Sequence, residues 1–266
     1  MPRIRANGVE LYYEDTETGE ETIVFSHGLL MSLHMFDDQI AHFKGRFRCV
    51  AYDHRGQGQS EVAEGGYDME TTYKDAVALI EALGLGAVHF AGLSMGGFVG
   101  MRLGARRPDL VKSLVLMETS ADPEPKENLP RYNLLKFVAR WISPKLIVNG
   151  AAKSLFSQSF RKNPAKAETL KKWKKYIGSV NRHGLSKAAE GVFTRQGVYE
   201  EIAKITAPTL VVVGAEDIAT VPAQAERIHQ QISGSRLATI PEAGHSSSLE
   251  NPQAVNAAME EFYNGL

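Results

Sequence analysis

A chain of 266 residues has room for one large α/β domain, or one domain carrying an insertion, and buries enough core to fold unaided. With 30 Lys and Arg against 31 Asp and Glu its net charge is −1, which excludes nucleic-acid binding driven by the overall field. A single cysteine, Cys49, excludes an internal disulfide framework and a Cys-based zinc site. No stretch is long and apolar enough to span a bilayer, and the opening residues hold no apolar run of secretory type. The expectation is a cytoplasmic protein with no nucleic-acid or membrane partner.

Residues 9–15 predict an early strand and residues 16–19 the turn after it. The short apolar run 22–26 has the look of a parallel strand covered on both faces, and it stops at His27-Gly28-Leu29-Leu30. A second such strand over 48–53 leads into Asp53-His54-Arg55-Gly56-Gln57-Gly58-Gln59-Ser60. Helical periodicity through Ala76, Leu79, Ile80 and Leu83 predicts a helix over 71–83, stopped by Gly84. Then comes the run Val88-His89-Phe90-Ala91-Gly92-Leu93, a Ser-Met, and the glycines 96 and 97 that open a helix over 95–106. A strand over 111–117 follows. Strands and helices alternating in this way predict a parallel sheet covered on both faces.

The alternation breaks at the turn-rich Ala121-Asp122-Pro123-Glu124-Pro125, and strand character returns only at 209–214. We assign residues 122–198 to a helical cap and residues 1–121 and 199–266 to the core. A helix over 222–231, a strand over 236–240 and a last helix over 252–263 complete the core. The cap segment holds 16 Lys and Arg against 5 Asp and Glu, a net of +11 that leaves −12 on the rest of the chain. One reading is a solvated helix face; the other is a basic lid, with Lys171, Lys172, Lys174 and Lys175 as its densest run, that draws anionic substrates toward the cleft.

The stretch that carries chemistry is Gly92-Leu93-Ser94-Met95-Gly96, set between a buried strand and a helix. That setting is what a nucleophile elbow requires, with a serine held in a sharp turn between glycines. A serine hydroxyl needs a base to be nucleophilic at neutral pH. Of the 8 histidines, His245 stands out in Pro241-Glu242-Ala243-Gly244-His245-Ser246, the loop after the last predicted strand. That loop lies at the carboxyl edge of the sheet, where open α/β sheets build their sites. Asp217, just after strand 209–214, would orient the imidazole; Glu118, at the end of strand 111–117, is its rival. Acyl chemistry also calls for backbone donors, and Met95 and Leu29 N–H are the candidates for an oxyanion hole. The cap aromatics Phe137, Trp141, Phe156, Phe160 and Trp173 are candidates for the acyl pocket, with ordinary cap packing as the competing role.

Ser94, Asp217 and His245 in that chain order, His27-Gly28 upstream and the Asp53 to Ser60 loop together resemble the α/β-hydrolase superfamily over essentially the whole chain. Within it, Gly92-Leu93-Ser94-Met95-Gly96-Gly97 is most similar to 3-oxoadipate enol-lactonases and related small esterases and lactonases. The resemblance implies a mostly parallel eight-stranded sheet with a helical cap inserted after the sixth strand, and no cofactor or metal. The expected activity is cleavage of a small carboxylic ester or lactone through an acyl-enzyme; acyl-homoserine lactones belong to that range. Serine at 94 argues against the carboxylate-nucleophile dehalogenases and epoxide hydrolases of this fold. Gly28-Leu29-Leu30-Met31 lacks the Gly-x-Gly-Pro-Gly-like stretch of the carbon–carbon bond hydrolases, and Leu30 stands where perhydrolases often carry proline. The alternatives are a carbon–carbon hydrolase and a ligand receptor on the same scaffold, which would keep the triad and turn over slowly.

Overall fold

In the computed structural model, which describes residues 2–266, the chain begins as a hairpin of β1 (Arg3–Ala6) and β2 (Val9–Asp15). Asn7 and Gly8 between them both have positive φ, 47° and 80°, the backbone that a two-residue hairpin turn demands. Strands β3 (Glu21–Ser26) and β4 (Phe47–Tyr52) are parallel, and β2 lies antiparallel on the outer side of β4. The strands β5 (Val88–Leu93), β6 (Val111–Met117), β7 (Thr209–Gly214) and β8 (Arg236–Ile240) extend the sheet in parallel from β3. The result is one eight-stranded sheet in the order β1-β2-β4-β3-β5-β6-β7-β8. β5 and β7 are buried at every residue, which is why their sequences run apolar without alternation.

Helices α1 (Asp37–Phe43), α2 (Met69–Ala82) and α3 (Met95–Arg106) belong to the first half of the core. The helix predicted from residue 71 starts earlier because Asp68 caps it, accepting from Thr71 N–H at 2.9 Å. Between β6 and β7 the chain is helical: α4 (Leu129–Phe137), α5 (Val148–Leu155), α6 (Gln158–Lys162), α7 (Ala167–Ile177), α8 (Arg182–Phe193) and the short α9 (Tyr199–Ile202). The last three helices are α10 (Pro222–Gln231), α11 (Ser247–Glu250) and α12 (Pro252–Asn264). Phe156, Phe160, Trp173 and Ile177 join the apolar cluster of Phe25, Met31 and Leu33, so α5 to α7 are anchored to the sheet by shared core. β1 was not among the predicted strands. It is four residues long with Arg3 and Arg5 exposed, and its only local signal is the Asn7-Gly8 turn.

Candidate active site

Ser94 is the single residue between β5 and α3, and it sits at φ 53°, ψ −109°, a conformation that costs free energy unless the surroundings enforce it. They do. A Cβ at Gly92 would lie 2.2 Å from the Gly96 carbonyl oxygen, and one at Gly96 would lie 1.9 Å from that of Ser26, so the turn closes only with hydrogen there. Ser94 N–H donates to the Met117 carbonyl at 2.8 Å, and the Thr119 hydroxyl donates to the Ser94 carbonyl at 2.9 Å. The elbow is thereby fastened to β6.

The two other predicted residues come to it from distant loops. His245 Nε2 lies 2.9 Å from Ser94 Oγ, and His245 Nδ1 lies 2.9 Å from Asp217 Oδ2. Asp217 also accepts from Ala219 N–H at 2.8 Å, Thr220 N–H at 3.1 Å and the Thr220 hydroxyl at 2.8 Å. Burial opposes charge on Asp217, but the imidazole beside it and these donors outweigh burial and hold its carboxyl below the usual range. Burial likewise opposes charge on His245, and the attraction and hydrogen bond of Asp217 outweigh it, so the imidazole is raised above its ordinary value. An ionised Asp217 fixes the proton on Nδ1 and turns the Nε2 lone pair toward the Ser94 hydroxyl. That arrangement permits proton withdrawal from the serine.

Glu118, the rival acid, has φ 41° and is fully buried, with no hydrogen-bond partner for either carboxyl oxygen. Burial and the neighbouring Asp217 charge push it well above the carboxylate range, and the imidazole bonds Asp217 instead. His54, another residue near the site loops, is a scaffold group: its Nε2 lies 3.0 Å from Ser26 Oγ, and its backbone N–H donates to His27 Nε2 at 3.0 Å.

The loop after β3 abuts the elbow, since a Cβ on Gly28 would lie 3.4 Å from Ser94 Cβ. Leu30 has φ 68° and donates its N–H to Gln57 Oε1 at 3.0 Å, while Gln57 Nε2 lies 3.6 Å from Met95 Sδ. The Leu29 and Met95 N–H groups have no protein acceptor among the described residues. Gln57 and Thr220 escaped the sequence reading, as did Glu250. Glu250 Oε1 accepts from Ser246 N–H at 3.1 Å and Oε2 from Ser157 N–H at 2.8 Å. Only its place four residues after Ser246, within reach of a helix's first N–H groups, hints at this in the sequence.

A cavity of about 150 Å³ opens beside Ser94 and His245, and Leu29, Phe98, Leu135, Ala139, Ile147 and Leu185 give it its apolar wall. The charged groups on its lining are neutralised: Arg195 bonds Glu124 at 2.8 Å and lies over the Phe98 ring, and Lys136 pairs with Glu190. None of the five cap aromatics lines this cavity, which corrects the expectation. Phe137 and Trp141 point outward, 55% and 65% exposed, because the inward face of α4 and its continuation carries Tyr132, Leu135 and Ala139 instead. Phe156 and Phe160 stack on each other at 5.4 Å and, with Trp173, belong to the core cluster. Among the described residues no group of His, Cys, Asp or Glu is arranged to hold a metal ion, and no helix is long and apolar enough to cross a membrane.

Comparison with known proteins agrees with this architecture. Residues 21–252 match the family described as alpha/beta hydrolase fold. The chain is 29% identical over 239 residues to 3-oxoadipate enol-lactonase 2 of Acinetobacter baylyi, covering 90% of this chain and 86% of that protein. Its structure is similar to that of the enol-lactonase from Burkholderia xenovorans LB400, with a TM-score of 0.90, 28% identity and coverage of 99% and 100% of the two chains. It is similar also to a thermophilic esterase from Thermogutta terrifontis solved with malate bound, with a TM-score of 0.93, 29% identity and coverage of 100% and 99%. A match over most of its length, on an eight-stranded sheet with a strained serine at its centre, makes this chain a member of the α/β-hydrolase family.

Proposed function

We propose that the protein is a serine hydrolase that cleaves neutral carboxylic esters or lactones with an apolar acyl portion. The observation that carries this reading is the hydrogen-bonded series Ser94–His245–Asp217 opening onto an apolar cavity whose charges are already paired. Ser94 Oγ attacks the acyl carbon while His245 Nε2 takes its proton, and Asp217 stabilises the imidazolium. The free N–H groups of Leu29 and Met95 receive the negative charge that forms on the carbonyl oxygen. His245 returns the proton to the departing alkoxide, then withdraws one from water, which attacks the acyl-serine; that proton passes to Ser94 Oγ as the acid leaves. The relatives named enol-lactonase and esterase support the same bond class. In this reading residues 122–198 are the cap over the site and residues 1–121 and 199–266 the core.

The choice of a neutral substrate rests on Glu124 and Glu190, which occupy the cations of the cavity wall. An anionic lactone would have to displace one of them. The test is acid release in a pH-stat from neutral esters of rising chain length, enol-lactones, homoserine lactones and anionic lactones. Wild type is expected to favour neutral apolar acyl groups, and Ser94→Ala to lose roughly 10⁴-fold or more. Preference for the anionic lactones would overturn the substrate class, and equal release by both proteins would overturn Ser94 as nucleophile. Silence across the panel would favour the carbon–carbon hydrolase or the receptor.

A further inference from the structure

The outward face of α4 and the turn that follows it has no partner in the fold. Leu134, Phe137, Trp141, Ile142 and Leu146 are between 55% and 65% exposed, and Leu134, Phe137 and Trp141 share one helical face by their spacing. Five of the nine exposed large apolar side chains among the described residues fall in these 13 positions, so this is a patch and not ordinary scatter. The helix widens here, with Ser143 N–H donating to the Val138 carbonyl five residues back at 3.0 Å. The patch is rimmed by cations: Arg131 and Lys145 are exposed, and the Arg140 guanidinium lies 4.9 Å from the Trp141 ring centroid. From residue 128 to residue 167 the sequence has eight Lys and Arg and no Asp or Glu.

We propose that this face adsorbs to an anionic phospholipid surface, with the apolar side chains entering the headgroup boundary and Arg131, Arg140 and Lys145 meeting lipid phosphates. Aromatic and aliphatic side chains on one side of a cationic helix are the pattern that lies in a membrane interface without crossing it. Charge decides the occupant. A symmetric pair of copies joined through this face would set these cations against their own images, whereas an anionic bilayer complements them. The net −12 on the rest of the chain then turns the acidic core away from the surface. The expectation of no membrane partner came from the lack of a spanning segment, which has no bearing on adsorption. The proposal is independent of the reaction at Ser94.

The test is sedimentation of the full chain with phosphatidylcholine vesicles, with and without phosphatidylglycerol. Binding is expected only with phosphatidylglycerol present, and about 1 M salt, with a Debye length of about 3 Å, should release it. Tryptophan emission should shift to the blue on binding, because Trp173 is already buried and Trp141 is 65% exposed. The double variant Ile142→Ser, Leu146→Ser should partition at least about tenfold less, with its thermal midpoint unchanged. No sedimentation with anionic vesicles, equal binding to neutral ones, or full binding by the double variant would overturn the proposal. So would a vesicle-free dimer that the double variant abolishes, since a second copy would then be the occupant.

Discussion

The core and the helical segment between β6 and β7 differ in almost every physical respect. The core carries a net −12 and the segment from 122 to 198 a net +11. β5 is buried at all six residues, while α4 buries none of its nine completely. Groups in the core are held largely through the backbone: Ser94 by the close approach at two glycines and its N–H bond to Met117, Asp217 by the Ala219 and Thr220 N–H groups beside two side-chain donors. Groups in the helical segment are held by side-chain packing and ion pairs such as Arg195–Glu124. The first kind of order fixes where chemistry is possible, and the second decides what fits beside it.

The contrast is open to experiment. In the core, Asp217→Asn should cost roughly 10⁴-fold in turnover, because the imidazole loses its tautomer and its counter-charge. In wild type the His245 shift places the acid limb of kcat/KM above 6.5, so activity falls as pH drops through that limb. Near-normal turnover by Asp217→Asn, with Glu118→Gln inactive, would reverse the assignment of the acid. Gly96→Ala forces a methyl to within 1.9 Å of the Ser26 carbonyl oxygen, and urea unfolding should show a loss of about 3 kcal/mol or more.

Glu118→Gln should act in the opposite sense. A carboxyl raised in the folded state contributes stability that is complete below its unfolded value of 4.5 and is lost as pH rises toward the folded value. The variant should therefore gain on wild type as pH rises, while Glu250, shifted the same way, keeps a residual slope in both. A constant difference across pH would show that Glu118 is not the titrating group. In the helical segment, Gly150→Ala meets nothing within 4 Å and should stabilise α5 by about 0.5–1 kcal/mol. Because Gly150 lines the cavity, the same methyl should narrow it and lower turnover of the longest acyl chains.

What was legible in the sequence follows the same division. Continuous apolar runs gave β3, β5 and β7, since strands covered on both faces leave no room for polar alternation. The glycines around Ser94 and the loop positions of Asp217 and His245 pointed to three residues that the structure joins by hydrogen bonds. β1 was missed because an edge strand of Arg3, Ile4, Arg5 and Ala6 has neither length nor apolar content. The pocket aromatics were misplaced because composition identifies a helix's large residues but not its inward face. In α4 that face carries Leu135 and Tyr132, and Phe137 is left outside. Gln57, Thr220 and Glu250 act through single contacts across the fold, for which local spacing carries almost no signal.

Glu250 bears on protein engineering. One oxygen of its carboxylate holds the residue after His245, the other holds Ser157, and a Cβ on Gly244 would lie 2.7 Å from the Ser157 nitrogen. The seam between the helical segment and the His245 loop thus combines a close backbone approach at Gly244 with one buried carboxylate that serves both sides, which leaves little room for a mismatch. Grafting the segment of a relative onto this core, to import a different substrate range, would succeed only if the donor reproduces the main-chain path around Ser157 to within a few tenths of an ångström.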